Sequence, residues 1–285
     1  MDAGQFFNQL DALSVHIKKH LVGKYQGEQQ TVYAGDGLTF KDYSPYTLGD
    51  DFRHIDWRLY VRTKELFIKR YEADRNVSMH ILVDRTGSMQ YHHTASKCNY
   101  ALLLGAGIVY VAQKQNEHNS FVTFSKNFVV HKSATQRMSA YDLYKKCSLL
   151  QVEGHQDIYK VLHNYMQTIK SKSIVFILSD FLYDLAGLKR LMHRFPKSTF
   201  CCVQTLHKDE LHLPFLGSYR FINPEQEQER IKTHISPRVQ QEYKQGLDAH
   251  IKQLNTMCRQ HRARHLVLNT DDMLIKNFVK MWQLL

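Results

Sequence analysis

The sequence predicts an α/β fold: a mostly parallel sheet with helices on both faces, preceded by a small β-rich element. Two observations carry this expectation. Apolar, β-branched runs at 77–83, 173–178 and 199–206 alternate with helical stretches, the pattern of strand–helix–strand units. Asp84 and Asp180 stand at the ends of the first two runs, and open parallel sheets place ligands beyond the carboxyl ends of their strands.

Taken in order, residues 1–22 read as an amphipathic helix, because Phe6, Leu10, Leu13, Ile17 and Leu21 recur at steps of three and four. The texture then changes. Residues 23–75 intersperse Gly23, Gly27, Gly35, Gly37, Pro45 and Gly49 with aromatic side chains, which favours short strands and tight turns. Within this element 55–71 reads as extended, with a turn at Thr63-Lys64. Residues 76–285 form the α/β domain proper. Its predicted strands lie at 77–83, at 120–131 (one or two), and at 173–178, 199–206 and 265–268. Its predicted helices lie at 97–115, 141–150, 157–170, 185–195 and 273–284, with a further one through Tyr243, Leu247, Ile251, Leu254 and Cys258. Residues 215–223 read as a short excursion and 225–232 as polar.

Composition narrows the class. The formal charge is +11, but the basic residues are scattered among acidic ones, so no specific nucleic-acid partner is expected. The five cysteines form no C-x-x-C pair and fall in helix and strand patterns, as buried thiols rather than disulfides or zinc ligands. The longest apolar stretch, 101–112, is about 12 residues against the ~20 that span a bilayer, so no membrane span is expected. With no signal-peptide pattern, the expected location is the cytoplasm.

The chemistry concentrates at Asp84-Arg85-Thr86-Gly87-Ser88. Asp84, Thr86 and Ser88 at i, i+2 and i+4 can aim one carboxylate and two hydroxyls at a point, with Asp180 joining from a neighbouring strand. Hard oxygen donors of this kind suit Mg2+, Mn2+ or Ca2+. The same residues after a strand also make an ordinary helix cap and turn. His92-His93 follows the loop and reads as an exposed pair. Ser88 lacks a G-x-S-x-G elbow, and the absence of a Walker A sequence predicts no nucleotide. Asp50, Asp51 and Asp56 form a second acidic group, but Arg53, Arg58 and Arg62 favour a structural ion-pair network around Trp57. Strand alternation would set Arg53, Ile55 and Trp57 on one face and His54, Asp56 and Arg58 on the other.

The run Gly49-Asp50-Asp51, Arg53, Ile55-Asp56-Trp57, Arg62, Lys69 and Tyr71-Glu72, with Gly35-Asp36-Gly37, Phe40, Asp42-Tyr43 and Pro45-Tyr46 before it, resembles the bacterial family known as domain of unknown function 58. Its pattern is G-x-G-x-x-F-x-D-x-R-x-Y, then G-D-D-x-R-x-I-D-W and K-x-Y-E, with Ser44 here in place of the Arg. The resemblance extends through Leu82-Val83-Asp84 and Ser179-Asp180-Phe181 to Asn223-Pro224-Glu225, where Asn223 replaces an Asp.

The resemblance implies a von Willebrand factor A-like, Rossmann-like domain and a partnership with MoxR-type AAA+ ATPases in adaptor or chaperone-like work. It also implies a metal-ion-dependent adhesion site. Asp84, Thr86 and Ser88 match its first segment and Asp180 its third, while Gln156 stands where the second segment has Thr. Asp157 reads more simply as a helix N-cap. The expected function is a binding protein that engages its partner at the Asp84 crevice, where a bound cation with an open position would accept an acidic side chain. The alternative is a metal-dependent phosphoesterase at Asp84 and Asp180.

Overall fold

The computed structural model describes residues 2–13, 38–47, 50, 52–73, 78–90, 97–132, 138–151, 154, 157–222 and 230–283. The chain divides into two compact units, Gly23–Asn76 and the remainder, Met1–Val22 with Val77–Leu285. Helix α1 (3–13) opens the described chain; residues 14–22 of the expected first helix lie outside the described residues.

In the smaller unit, β1 (Leu38–Pro45) precedes α2 (Trp57–Thr63) and β2 (Phe67–Ala73), and the two strands pair antiparallel. Helix α2 departs from the extended structure expected over 55–71. Its cause is Asp56, whose Oδ1 accepts the N–H groups of Arg58 at 2.9 Å and Leu59 at 3.2 Å, capping the helix start. Lys64, in the left-handed region at φ 62°, ends it. The expected strand alternation of residues 53–58 therefore does not occur. Asp56 Oδ2 accepts the Tyr43 hydroxyl at 2.8 Å and pairs with Lys69 at 3.1 Å, and these contacts hold its carboxyl down at about 2. Trp57 is 58% exposed. Arg53 and Arg62 are also exposed, and Asp50 closes a turn by accepting the Thr47 N–H and hydroxyl. Gly49 and Asp51 lie outside the described residues.

The larger unit runs β3 (Ser78–Asp84), α3 (Lys97–Lys114), β4 (Asn119–Phe124), β5 (Phe128–Lys132), α4 (Ala140–Ser148), α5 (Ile158–Met166), β6 (Ser173–Ser179), α6 (Leu185–Arg194) and β7 (Ser198–Leu206). It continues through α7 (Lys208–His212), β8 (Gly217–Ile222), β9 (Arg230–Ile235), α8 (Pro237–Gln260), β10 (Arg264–Asn269) and α9 (Leu274–Trp282). Strands β8 and β9 form a separate antiparallel hairpin where the sequence showed only an excursion. The main sheet has the order β10-β7-β6-β3-β4-β5, parallel except for the edge strand β5. Counted within this sheet the order is 3-2-1-4-5-6, doubly wound, in keeping with the expected von Willebrand factor A-like architecture.

Side-chain alternation fills both faces. Ile81, Val83, Phe176, Leu178 and Val203 pack with α1, α3, α4 and α9, while Leu82, Val122, Val175, Ile177 and Cys202 pack with α5, α6 and α8. All five cysteines are free and buried. Helix α3 is apolar almost all round because it is enclosed, with the sheet on one side and α4 and α9 on others. Two glycines permit this closeness. A Cβ on Gly105 would stand 2.9 Å from Phe121, and one on Gly107 would stand 2.9 Å from Phe278 and 3.0 Å from Phe6. Phe6 of α1 and Phe278 of α9 meet edge to face over Gly107, their centroids 5.9 Å apart.

A matched pair of substitutions tests this packing. Gly105→Ala should cost a net 1–2 kcal/mol or so, because overpacking (about 1–3 kcal/mol) exceeds the gain in helix propensity (up to about 1 kcal/mol). Gly246→Ala, on α8 with no atom within 4 Å of the added methyl, should stabilise by about 1 kcal/mol. Urea unfolding midpoints should therefore move in opposite directions.

Candidate functional site

The winding of the sheet reverses between β3 and β6, so the crevice beyond their carboxyl ends is the topological switch point. Val83 pairs with Leu178, which sets Asp84 across from Ser179 and leaves Asp180 one residue further on. Ser179 Oγ donates to Asp84 Oδ2 at 2.6 Å, and the Thr86 N–H donates to Oδ1 at 2.8 Å. The Thr86 and Ser88 hydroxyls lie 3.1 Å apart. Asp84, Thr86 and Asp180 are buried, and Ser88 is half-buried on the 3-10 turn Gly87–Gln90. Four of the expected donors are thus gathered at the two strand ends. Gln156 lies outside the described residues, as do His92 and His93. Asp157 caps α5, its Oδ1 accepting the Lys160 N–H at 3.3 Å.

Two residues the sequence analysis did not single out complete the site. Lys97, the first residue of α3, has a side chain only 1% exposed. Its Nζ donates to Asp180 Oδ2 at 2.9 Å and to Glu210 Oε1 at 2.6 Å. Glu210 belongs to the short helix α7, and its Oε2 accepts the His207 N–H at 2.8 Å as half of a capping box. Asp180 Oδ1 accepts the Leu182 N–H at 3.2 Å. Every carboxylate oxygen of Asp84, Asp180 and Glu210 therefore already accepts a proton donor of the chain itself.

The charges follow from this geometry. Burial acts to lower the Lys97 pKa, but Asp180 and then Glu210 outweigh it, and the ammonium is held charged. Burial first, and the charge of Asp180 second, push the Asp84 carboxyl up to about 7. A signal for Lys97 was present: a lysine in so apolar a helix needs a compensating anion if it is buried.

The implied divalent ion does not fit these residues while Lys97 is in place. An ion ligated by Asp180 would stand beside a buried ammonium, and at ~4 Å the repulsion of a double and a single charge is on the order of 8 kcal/mol with an effective dielectric near 20. Among the described residues, no three His, Cys, Asp or Glu side chains are grouped to hold a metal ion.

Comparison with known proteins gives relatives of undefined activity. The family described as "Protein of unknown function DUF58" matches residues 42–253. The uncharacterized proteins Mb1516 of Mycobacterium bovis and Rv1480 of Mycobacterium tuberculosis are 20% identical over 269 residues, covering 92% of this chain and 84% of theirs. Among solved structures, the conserved hypothetical protein BatB from Bacteroides thetaiotaomicron aligns at TM-score 0.47 and 8% identity, over 73% of this chain and 97% of that one. An aerotolerance-related membrane protein from Bacteroides fragilis aligns at 0.45 and 14%, over 73% and 100%. Proximal thread matrix protein 1 of the mussel byssus, with a zinc-occupied MIDAS motif, aligns at 0.37 and 16%, over 46% and 38%.

The Asp84 carboxyl gives a pH test. A group raised from 3.8 to about 7 contributes stability that is fully present below about 3.8 and lost as pH rises through about 7. Asp84→Asn removes that titration. The stability of the variant relative to wild type should rise across this window by on the order of 2–4 kcal/mol, read by urea unfolding. A difference that stays constant with pH would show that Asp84 titrates alike in the folded and unfolded chain.

Proposed function

The chain belongs to the family of proteins of unknown function DUF58, and we propose that it works as a binding protein of adaptor type rather than as an enzyme. The observation that supports this most is the state of the carboxylates. Those of Asp84, Asp180 and Glu210 are all engaged by internal donors, which makes a rigid crevice wall.

Exposed apolar side chains on the segments that follow β6 and β7 suit a protein partner. Leu182, just past β6, is 43% exposed, and Leu216, on the segment after β7 and α7, is 57% exposed. The hairpin that follows is two-faced. Its register sets Tyr219, Phe221 and Ile231 on one side and Arg220, Arg230, Lys232 and His234, together with Ile222, on the other. Exposed apolar side chains next to polar ones are the composition of a contact surface. The partner that the family resemblance implies is a MoxR-type AAA+ ATPase, met in the cytoplasm. No helix among the described residues is long and apolar enough to cross a membrane.

A second, ion-dependent version of this reading is favoured by the Thr86 and Ser88 hydroxyls beside Asp84. It would use Mg2+, Mn2+ or Ca2+ with Gln156 as a further donor, and it requires Lys97 to give way.

Co-purification with a MoxR-type AAA+ ATPase from the same cell tests the proposal. Capture by wild type should fall about tenfold in Leu182→Asp, the loss expected when one apolar anchor worth about 1.4 kcal/mol is removed. No capture by wild type, or capture indifferent to Leu182→Asp and Leu216→Asp together, would count against the crevice mouth as the contact. Dependence of capture on Mg2+ would select the ion-dependent version. Phosphoester turnover that Asp180→Asn abolishes would instead support the hydrolase.

A further inference from the structure

We propose that Lys97 is the resident cation of the switch-point crevice and Glu210 its resident acidic ligand, so that the site is filled from within and takes no divalent ion. In an ion-dependent crevice, a metal bridges the protein's carboxylates and keeps one position open for a carboxylate from outside. Here each part has an internal counterpart. The ammonium of Lys97 lies 2.9 Å from Asp180, one of the carboxylates an ion would need, and Glu210 approaches that ammonium at 2.6 Å. An ammonium carries three donors and no acceptor, so two carboxylates make a matched pair of charge-assisted hydrogen bonds with it.

Burial argues that the arrangement is built in. A long, flexible lysine side chain would ordinarily reach solvent, and this one is 1% exposed. A buried ammonium is costly without anions beside it, so the position is tolerable only with the two carboxylates in place. Glu210 is fixed as well, because its second oxygen caps the helix that carries it. Lys97 thereby ties the start of α3 to the end of β6 and to α7, the helix that leads into the β8–β9 hairpin. The inference is independent of whether the crevice mouth engages a partner.

Calorimetry and thermal melting of the full chain test it with Mn2+ and Mg2+ as probes. Wild type should give no heat that Asp84→Asn removes, and its Tm should be the same in EDTA and in excess Mg2+. Lys97→Ser leaves the carboxylates of Asp180 and Glu210 without their cation. That variant should melt lower than wild type in EDTA and recover by roughly 5 °C when Mn2+ is added in large excess over its Kd. Glu210→Gln keeps the lysine and Asp180, so it should remain insensitive to Mn2+; this variant and wild type carry the test if Lys97→Ser does not fold. Mn2+ heats in wild type that vanish in Asp84→Asn would overturn the proposal. So would a folded Lys97→Ser that does not respond to Mn2+, or a Glu210→Gln that binds it. Heats unchanged by Asp84→Asn arise elsewhere on this chain of 17 histidines and agree with a crevice free of metal.

Discussion

Parallel strands can be joined only by crossovers, and a sheet wound in both directions from its middle must leave a gap where the winding reverses. In this chain the gap lies between β3 and β6, which pair directly while the segments leaving them diverge to opposite faces. The strand interiors solve their own burial problem with apolar side chains. The gap cannot be solved so simply, because strand ends and helix starts bring backbone polar groups that need partners. Asp84, Ser179 and Asp180 supply them, and the remaining features of the site follow from accommodating those carboxylates out of water.

Burying a carboxylate is costly unless something answers its charge. The two aspartates meet that demand differently. Asp84 receives a hydroxyl and a backbone N–H but no cation, and its carboxyl is pushed upward. Asp180 has Lys97, and the lysine in turn has Glu210. Strand alternation accounts for the division, since Ser179 shares the side of Asp84 while Asp180 falls on the side of α3, where Lys97 begins. A buried charged triad of this kind is weak evidence of stability in itself, because apolar replacements can serve as well. Its stronger effect is to fix one arrangement of three elements.

The sheet was legible because strands buried on both faces are written as continuous apolar runs, and 173–178 and 77–83 are of that kind. Asp84 and Asp180 were legible because they stand at the ends of such runs. Helix α2 was not, since Trp-Arg-Leu-Tyr-Val-Arg-Thr has strand-like side chains and its helical state is set by the single cap at Asp56. Lys97 and Glu210 escaped for a different reason. Their contacts span 83 and 113 positions along the chain, a distance at which local pattern is silent. The hairpin was partly hidden as well, because its exposed strands alternate without a core to mark which face is inward.

The meeting of Phe6 and Phe278 over Gly107 carries a kinetic meaning. Ribosomes release α1 well before α9, so the apolar side of α1 has no native neighbour on α9 until the intervening strands and helices have emerged. The smaller unit, whose strands pair within Gly23–Asn76, can close in the meantime. Closure over Gly107 is thus a late, long-range event, and such contacts slow folding because loop entropy is lost before they form. During that interval Phe6 lacks the ring of Phe278 that covers it in the folded unit, which leaves apolar surface on the first helix exposed while the chain is being made.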